Sequence, residues 1–217
     1  MQHKVNLDEI SNGIFSTHND MIRIGCDGCN GSASCCRFAE DTITLDPYDI
    51  WQLTQALQLN FEQLFSRRLI ALSPVNGLLL PHLNFRADNG SCPFLLDTGR
   101  CSIHAYRPGL CRLFPLARLI TEDKVQYLMQ IHECPYSDAP KTKIKNWLEL
   151  PGICHYEDYL IRWNTIVAKT TQKLATADGH DSLTAITSTF LRTFFFTPYD
   201  PDKSFYEQFD LRVRDDC

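Results

Sequence analysis

Apolar side chains spaced three and four residues apart predict helices near the beginning of the chain and again in its last third. The first helix is predicted to begin at Pro47, because Asp46 is a preferred N-cap residue and proline fits the first helical turn. The predicted apolar stripe of this helix is Ile50, Leu53 and Leu57. A second helix is predicted to begin after Asn60, where Gln63 completes a variant of the capping box.

From about residue 142 onward the apolar positions again follow the helical period. The pattern predicts three helical segments and a final helix around Phe205 and Phe209, with Asp181 as the cap of the third segment. The predicted stripes are Ile144, Trp147 and Leu148, then Tyr156, Tyr159, Leu160, Trp163 and Val167, then Leu183, Ile186, Phe190, Leu191 and Phe194.

Strand patterns are confined to the middle of the chain. Leu116 to Thr121 and Val125 to Ile131 predict a hairpin, and Val75 to Leu83, interrupted by Pro81, predicts an edge strand. The fold class expected is α+β and mainly helical: a loop-rich cysteine metal-binding core with a small β-hairpin, packed on a C-terminal helical layer. We expect a tail over residues 1–21, a cysteine-cluster region over 22–140, and a helical layer of the same domain over 141–217.

The net charge and the hydropathy of the chain limit the classes of partner that it can bind. The formal net charge of -5 and the pI near 5.8 argue against nucleic-acid binding, which needs clustered basic residues. No apolar run is long enough for a membrane span, and the first ten residues offer no core of a signal peptide. We therefore expect a cytoplasmic protein with no membrane partner.

Ten cysteines in a reducing compartment favour metal ligation or redox chemistry over a disulfide framework. Cys26 and Cys29 form a C-x2-C pair, and Cys35 and Cys36 are adjacent in sequence, so that both are unlikely ligands of one tetrahedral ion. The predicted metal ligands are Cys26, Cys29, Cys35, Cys36, Cys92, Cys101, Cys111 and Cys134. Cys154 and Cys217 are interpreted as ordinary small apolar residues. The subset that ligates stays open.

Thiolate ligands suit both zinc and iron–sulfur clusters. The single C-x2-C pair and the irregular spacing of the other cysteines favour a cluster, as does proline after Cys92 and after Cys134. Arg107 and Arg112 flank Cys111 and are candidates for offsetting thiolate charge or binding an anionic cofactor. Arginines that merely cover neighbouring apolar residues are the alternative interpretation, and His104 and His132 are candidates only for secondary roles.

An ordered series of motifs carries a family resemblance. The series is Cys26-Asp27-Gly28-Cys29 with Cys35-Cys36, Ile43-Thr44-Leu45-Asp46-Pro47-Tyr48-Asp49, Cys92-Pro93-Phe94-Leu95, Cys101-Ser102-Ile103-His104, Arg107-Pro108 and Cys111-Arg112-Leu113-Phe114-Pro115. It resembles the YkgJ-type cysteine-cluster family over roughly residues 22 to 135. That family's domain is described as zinc- or iron-chelating and also occurs in flagellin lysine N-methylases.

The resemblance implies a metal-chelating protein, and we expect an iron–sulfur cluster, of the 4Fe–4S type. The resemblance also implies which reactions such a metal site could support. One is the modification of a protein substrate, such as lysine N-methylation with S-adenosylmethionine, and the other is a redox reaction. The chain has no Gly-rich dinucleotide loop and no C-x3-C-x2-C triad to support such catalysis. The alternative is a zinc-stabilised, non-catalytic module that binds a protein partner. No catalytic residue is predicted.

Overall fold

The computed structural model describes residues 11, 13–25, 36–37, 42–130 and 139–215. Within them the chain is α+β and mainly helical, as the sequence predicts. The helices are α1 (Pro47–Leu57), α2 (Phe61–Ser66), α3 (Gly109–Leu113), α4 (Ile144–Leu148), α5 (Ile153–Thr176), α6 (His180–Leu191) and α7 (Phe205–Asp215). A 3-10 turn covers His104–Tyr106 and a π-helical segment covers Arg192–Phe196.

The strands form three two-stranded antiparallel sheets in this part of the chain. They are β1 (Met21–Arg23), β2 (Ile70–Val75), β3 (Leu78–Leu83), β4 (Leu116–Ile120), β5 (Val125–Met129) and β6 (Lys141–Lys143). β1 pairs with β6, β2 with β3, and β4 with β5. Among the helices described, none has the length and apolar character needed to cross a bilayer.

The chain divides into two compact units, and two of the three divisions fall within α3 and α5. One unit combines residues 1–32 with 111–164. Its β4–β5 hairpin confirms the predicted one, and Ser16 exchanges two backbone hydrogen bonds of 2.8 Å with Tyr127 of β5. The amide of Lys145, in α4, donates to the carbonyl of His18 at 2.9 Å. The segment before β1 is thereby fastened to the middle of the chain.

The second unit combines residues 33–110 with 165–217. Its core is aromatic: the fully buried rings of Phe194, Phe205 and Phe209 stand 6.0 Å apart, centroid to centroid, from Phe194 to Phe209 and from Phe209 to Phe205. Tyr48 of α1 meets Phe205 edge-on at 5.1 Å. Large rings supply much apolar area and favour tilted or edge contacts, so this cluster joins α1, α7 and the π-helical segment into one core.

The cap predictions are confirmed for the first two helices and wrong for a later one. Asp46 caps α1 with its side chain, and Asn60 and Gln63 form a complete capping box at α2. The N-cap of α6 is Gly179, whereas the sequence predicted Asp181. Asp181 lies inside the first turn, where its carboxylate interacts favourably with the helix dipole but does not cap the helix.

The predicted edge strand from Val75 to Leu83 is in fact the turn and second arm of a hairpin. Val75 ends β2, and β3 begins at Leu78. Between them Asn76 and Gly77 have φ values of 50° and 87°, the left-handed pair that a tight two-residue hairpin turn requires. The Asn-Gly signal was present in the sequence, but it lay inside the stretch that was interpreted as a single edge strand.

Candidate metal centre

Cys36 and Cys92 are brought side by side by the backbone, although they lie 56 positions apart in the sequence. The amide of Cys92 donates to the carbonyl of Cys36 at 2.8 Å, and the next residues along, Arg37 and Ser91, form an antiparallel bridge. Residues bonded across antiparallel backbones have Cα atoms about 5.5 Å apart. The two predicted ligands are therefore close neighbours in the fold.

The chain reaches Cys92 through a tightly bonded turn. The amide of Arg86 donates to the carbonyl of Ser91 at 2.8 Å, and its guanidinium donates to the Ser91 hydroxyl at 3.1 Å and to the carbonyl of Pro93 at 3.0 Å. Asn89 accepts the Ser91 amide through its side chain at 3.0 Å. Arg86 thus holds the backbone on both sides of Cys92.

Cys101 returns to the same loop. Cys92 begins a turn whose closing bond runs from the amide of Leu95 to the Cys92 carbonyl at 3.1 Å, and proline suits the second position of such a turn. Leu95 then forms an antiparallel bridge with Cys101. Gly99, with φ of 78°, allows the tight reversal between them. Cys101 consequently stands next to the residue that closes the Cys92 turn.

The predicted ligands differ in exposure. Cys92 is 5% exposed, and Phe94, Leu95 and Ile103, which follow it in the chain, are also buried. Cys36 and Cys101 are half-buried. Apolar cover with partial access is suited to thiolates that bind metal, because the site excludes bulk water while the ion still has a way in.

Cys111 is the third residue of α3 and is half-buried. Between Cys101 and α3 lies the 3-10 turn, and the Arg107 guanidinium donates to the carbonyl of His104 at 3.0 Å. The amide of Gly109, the first residue of α3, donates to the Asp49 carboxylate at 2.8 Å. Sequence reasoning gave Asp49 no role. Asp49 lies three residues after the Asp46 cap, in the predicted first turn of a helix, and nothing in that position indicated the bond to the Gly109 amide.

The two predicted cofactor-binding arginines occupy different environments. Arg112 is only 5% exposed and donates to the carbonyls of Leu148 and Glu149, at 3.4 and 3.2 Å, which end α4. Such carbonyls have no partner within their own helix and carry partial negative charge. Arg112 therefore stabilises the end of α4, and the alternative interpretation of it as an arginine that merely covers neighbouring apolar residues is wrong. Arg107 is half-buried, and cofactor binding by either arginine stays a prediction.

Four of the eight predicted ligands, Cys26, Cys29, Cys35 and Cys134, lie outside the described residues, as does His132. Within the described part of the chain, no three His, Cys, Asp or Glu side chains are arranged to hold one metal ion. The donor chemistry of Cys36, Cys92 and Cys101 fits a soft metal or a cluster. A complete site would take further thiolates from the segments not described.

Cys154 lies in the first turn of α5 and is exposed. The interpretation of this residue as a small buried apolar one is therefore wrong, because it falls on the polar face of an amphipathic helix. His104 is also exposed. In the aromatic run that ends the π-helical segment, Phe194 and Phe195 are buried and Phe196 is exposed.

Comparison with known proteins places the chain in a family. No curated protein and no solved structure matches it. A family model does match, over residues 25–159, which is more than half of the chain, and its description is CxxCxxCC, a putative zinc- or iron-chelating domain. The matched range includes the described cysteines Cys36, Cys92, Cys101, Cys111 and Cys154. The chain belongs to this CxxCxxCC family of zinc- or iron-chelating domains.

Proposed function

We propose that this chelating domain holds an iron–sulfur cluster of the 4Fe–4S type on cysteines drawn from two segments, the one from Cys26 to Cys36 and the one that begins at Cys92. The observation that carries the proposal is the backbone pairing of Cys36 with Cys92, which joins the two segments directly. The bridge from Leu95 to Cys101 adds a third thiol to the same loop. Irregular spacing and the proline after Cys92 favour a cluster over a zinc knuckle.

The residues around the thiols suit this use. Cys92 is buried, as are Phe94, Leu95 and Ile103 after it, and low solvent exposure is one of the factors that set a cluster's potential. When bound, a cluster supplies one-electron transfer or a Lewis-acidic iron. The chain's own part is to hold thiolates in place: Arg86 fixes the backbone at Cys92, and the turn at Gly99 returns Cys101.

The test is elemental analysis of protein purified without oxygen. We expect iron and acid-labile sulfide, and broad absorption near roughly 400 nm. Cys36→Ser and Cys92→Ser should each lower the iron and sulfide content and weaken folding, because metal binding is coupled to folding. Cys154→Ser, on the exposed face of α5, is the matched control and should leave both unchanged.

Colourless protein with stoichiometric zinc and no sulfide would overturn the cluster and support the zinc-stabilised module. Loss of metal in Cys154→Ser as large as that in Cys92→Ser would overturn the assignment of the ligands. Lysine N-methylation with S-adenosylmethionine, which the family resemblance implies, stays a prediction.

A further inference from the structure

Asp49 is a buried carboxylate in the first turn of α1, with only 3% of the residue exposed. Its Oδ2 accepts the amide of Asp46 at 3.3 Å, which completes the capping box of α1. Its Oδ1 accepts the amide of Gly109 at 2.8 Å, from a residue 60 positions further along the chain. The carboxylate therefore serves two backbone segments at once.

The second capping box of this chain shows that the helix cap alone does not call for such a group. At α2 the same position is held by Gln63, a neutral side chain, and its bonds with Asn60 are exposed to solvent. Burying a carboxylate is unfavourable unless hydrogen bonds compensate the lost hydration. Unlike Gln63, Asp49 is buried and accepts the amide of Gly109, from a distant part of the chain.

Gly109 is the first residue of α3, so its amide is one of the donors that an α-helix leaves without an internal partner. A carboxylate at this end forms a charge-assisted hydrogen bond and also lies at the positive end of the helix dipole. Asp49 thus stabilises the first turns of two helices. The second of these helices carries Cys111 as its third residue.

We propose that Asp49 is the positioning residue for Cys111, fixing the start of α3 so that the thiolate is held ready for metal. This inference rests on the proposed function, because it takes Cys111 as a ligand. Metal sites need their ligands held within about half an ångström of the productive geometry, and groups that orient ligands strongly affect affinity.

The test compares Asp49→Ala with Asp46→Ala, a matched control that removes the side-chain cap of α1 but keeps the acceptor of the Gly109 amide. Two quantities are measured in each folded variant: hydrogen exchange of the Gly109 amide in metal-free protein, and metal retention in competition with a chelator. Asp49→Ala should speed Gly109 exchange and weaken metal affinity about 10- to 100-fold, the usual effect of losing an orienting group. Asp46→Ala should leave Gly109 exchange and metal affinity near the wild-type values.

Asp49→Asn keeps an acceptor oxygen without the charge, so it should restore most of the Gly109 protection and part of the affinity, and it serves if Asp49→Ala does not fold. Equal loss of affinity in Asp49→Ala and Asp46→Ala, or unchanged Gly109 exchange in Asp49→Ala, would overturn the role of Asp49. A wild-type protein that retains no metal would overturn the proposed function itself, and the Gly109 exchange would still report whether Asp49 holds α3.

Discussion

Arg212 of α7 is expected to be one of the most important single side chains for the stability of its unit. Its guanidinium donates to the carbonyls of Thr193 and Thr197, each at 2.9 Å, and of Pro198 at 2.8 Å. Its Cζ atom also lies 3.4 Å from the centroid of the Tyr199 ring. One side chain thereby fastens the end of the π-helical segment to α7.

The stability that Arg212 contributes can be worked out from these contacts. The bond to Thr193 is partly buried, and a charged hydrogen bond of this kind contributes about 2 kcal/mol. The bonds to Thr197 and Pro198 are exposed, so water replaces them at a cost of about 0.5 kcal/mol each. Stacking on Tyr199 adds roughly 1 kcal/mol. Arg212→Met should therefore lower the free energy of unfolding by about 3 to 4 kcal/mol, allowing for partial relaxation.

The assay is urea unfolding followed by circular dichroism, with Arg214→Met as the control. Arg214 is exposed and lies two residues further along α7, so its replacement should change the free energy of unfolding by less than about 0.5 kcal/mol. Arg212→Lys keeps the charge but loses the planar fork, and should fall between the two. If Arg212→Met and Arg214→Met unfold at the same urea concentration, the reasoning from the three carbonyl bonds is refuted.

Three further predictions concern other parts of the chain. Tyr127→Phe removes the 2.8 Å hydrogen bond to Glu157 and should lower the free energy of unfolding by about 1 to 2 kcal/mol. Burial, the Glu157 charge and this bond raise the pKa of Tyr127 well above its usual value, so the stabilising contribution of the hydroxyl is present below about pH 10 and is lost as the pH rises further. In urea unfolding above about pH 10, the variant should therefore lose less stability than the wild type. Asp20 accepts hydrogen bonds from the Thr17 amide and hydroxyl, which lower its pKa below the usual 3.8, and an NMR titration should show this. Thr17→Ala removes the hydroxyl bond and should raise the pKa of Asp20, whereas identical titration midpoints in the wild type and the variant would contradict the prediction. Gly77→Ala should cost about 1 kcal/mol in urea unfolding purely through its φ of 87°, because a new Cβ atom there meets no atom within 4 Å, and Gly77→Asn should cost less.

Local patterns in the sequence predicted the helices well, because their signals lie within a few residues. The caps at Asp46 and Asn60 and the β4–β5 hairpin needed no distant partner to be recognised. The β2–β3 hairpin was missed because Val75 to Leu83, interrupted by Pro81, was interpreted as one edge strand, and the Asn-Gly turn inside it was not recognised. In the structure Pro81 opposes Leu72 and Pro74 opposes Leu79. The Pro81 carbonyl accepts the Leu45 amide at 2.8 Å on the edge of β3 that faces away from β2, so the N–H that this proline lacks is not one that the pairing with β2 uses.

The candidate site was predictable in its residue types but not in its contacts. Cysteine spacing indicated thiolate chemistry, whereas the pairing of Cys36 with Cys92 and the bond from Gly109 to Asp49 join parts of the chain that lie far apart. Arg112 could not be interpreted from its neighbours, since its partners, the last carbonyls of α4, follow it by 36 and 37 residues. Contacts of this kind depend on tertiary packing, on which a single sequence carries little information.

The pairing of β1 with β6 has a consequence for how the protein is made. Met21 opposes Lys143, and Arg23 opposes Lys141, so the two strands are separated by more than half of the chain. On a ribosome, which makes the chain from its N-terminus, β1 has no partner until residue 143 has emerged. Any property of the first unit that depends on this pairing can therefore develop only late in synthesis or after release.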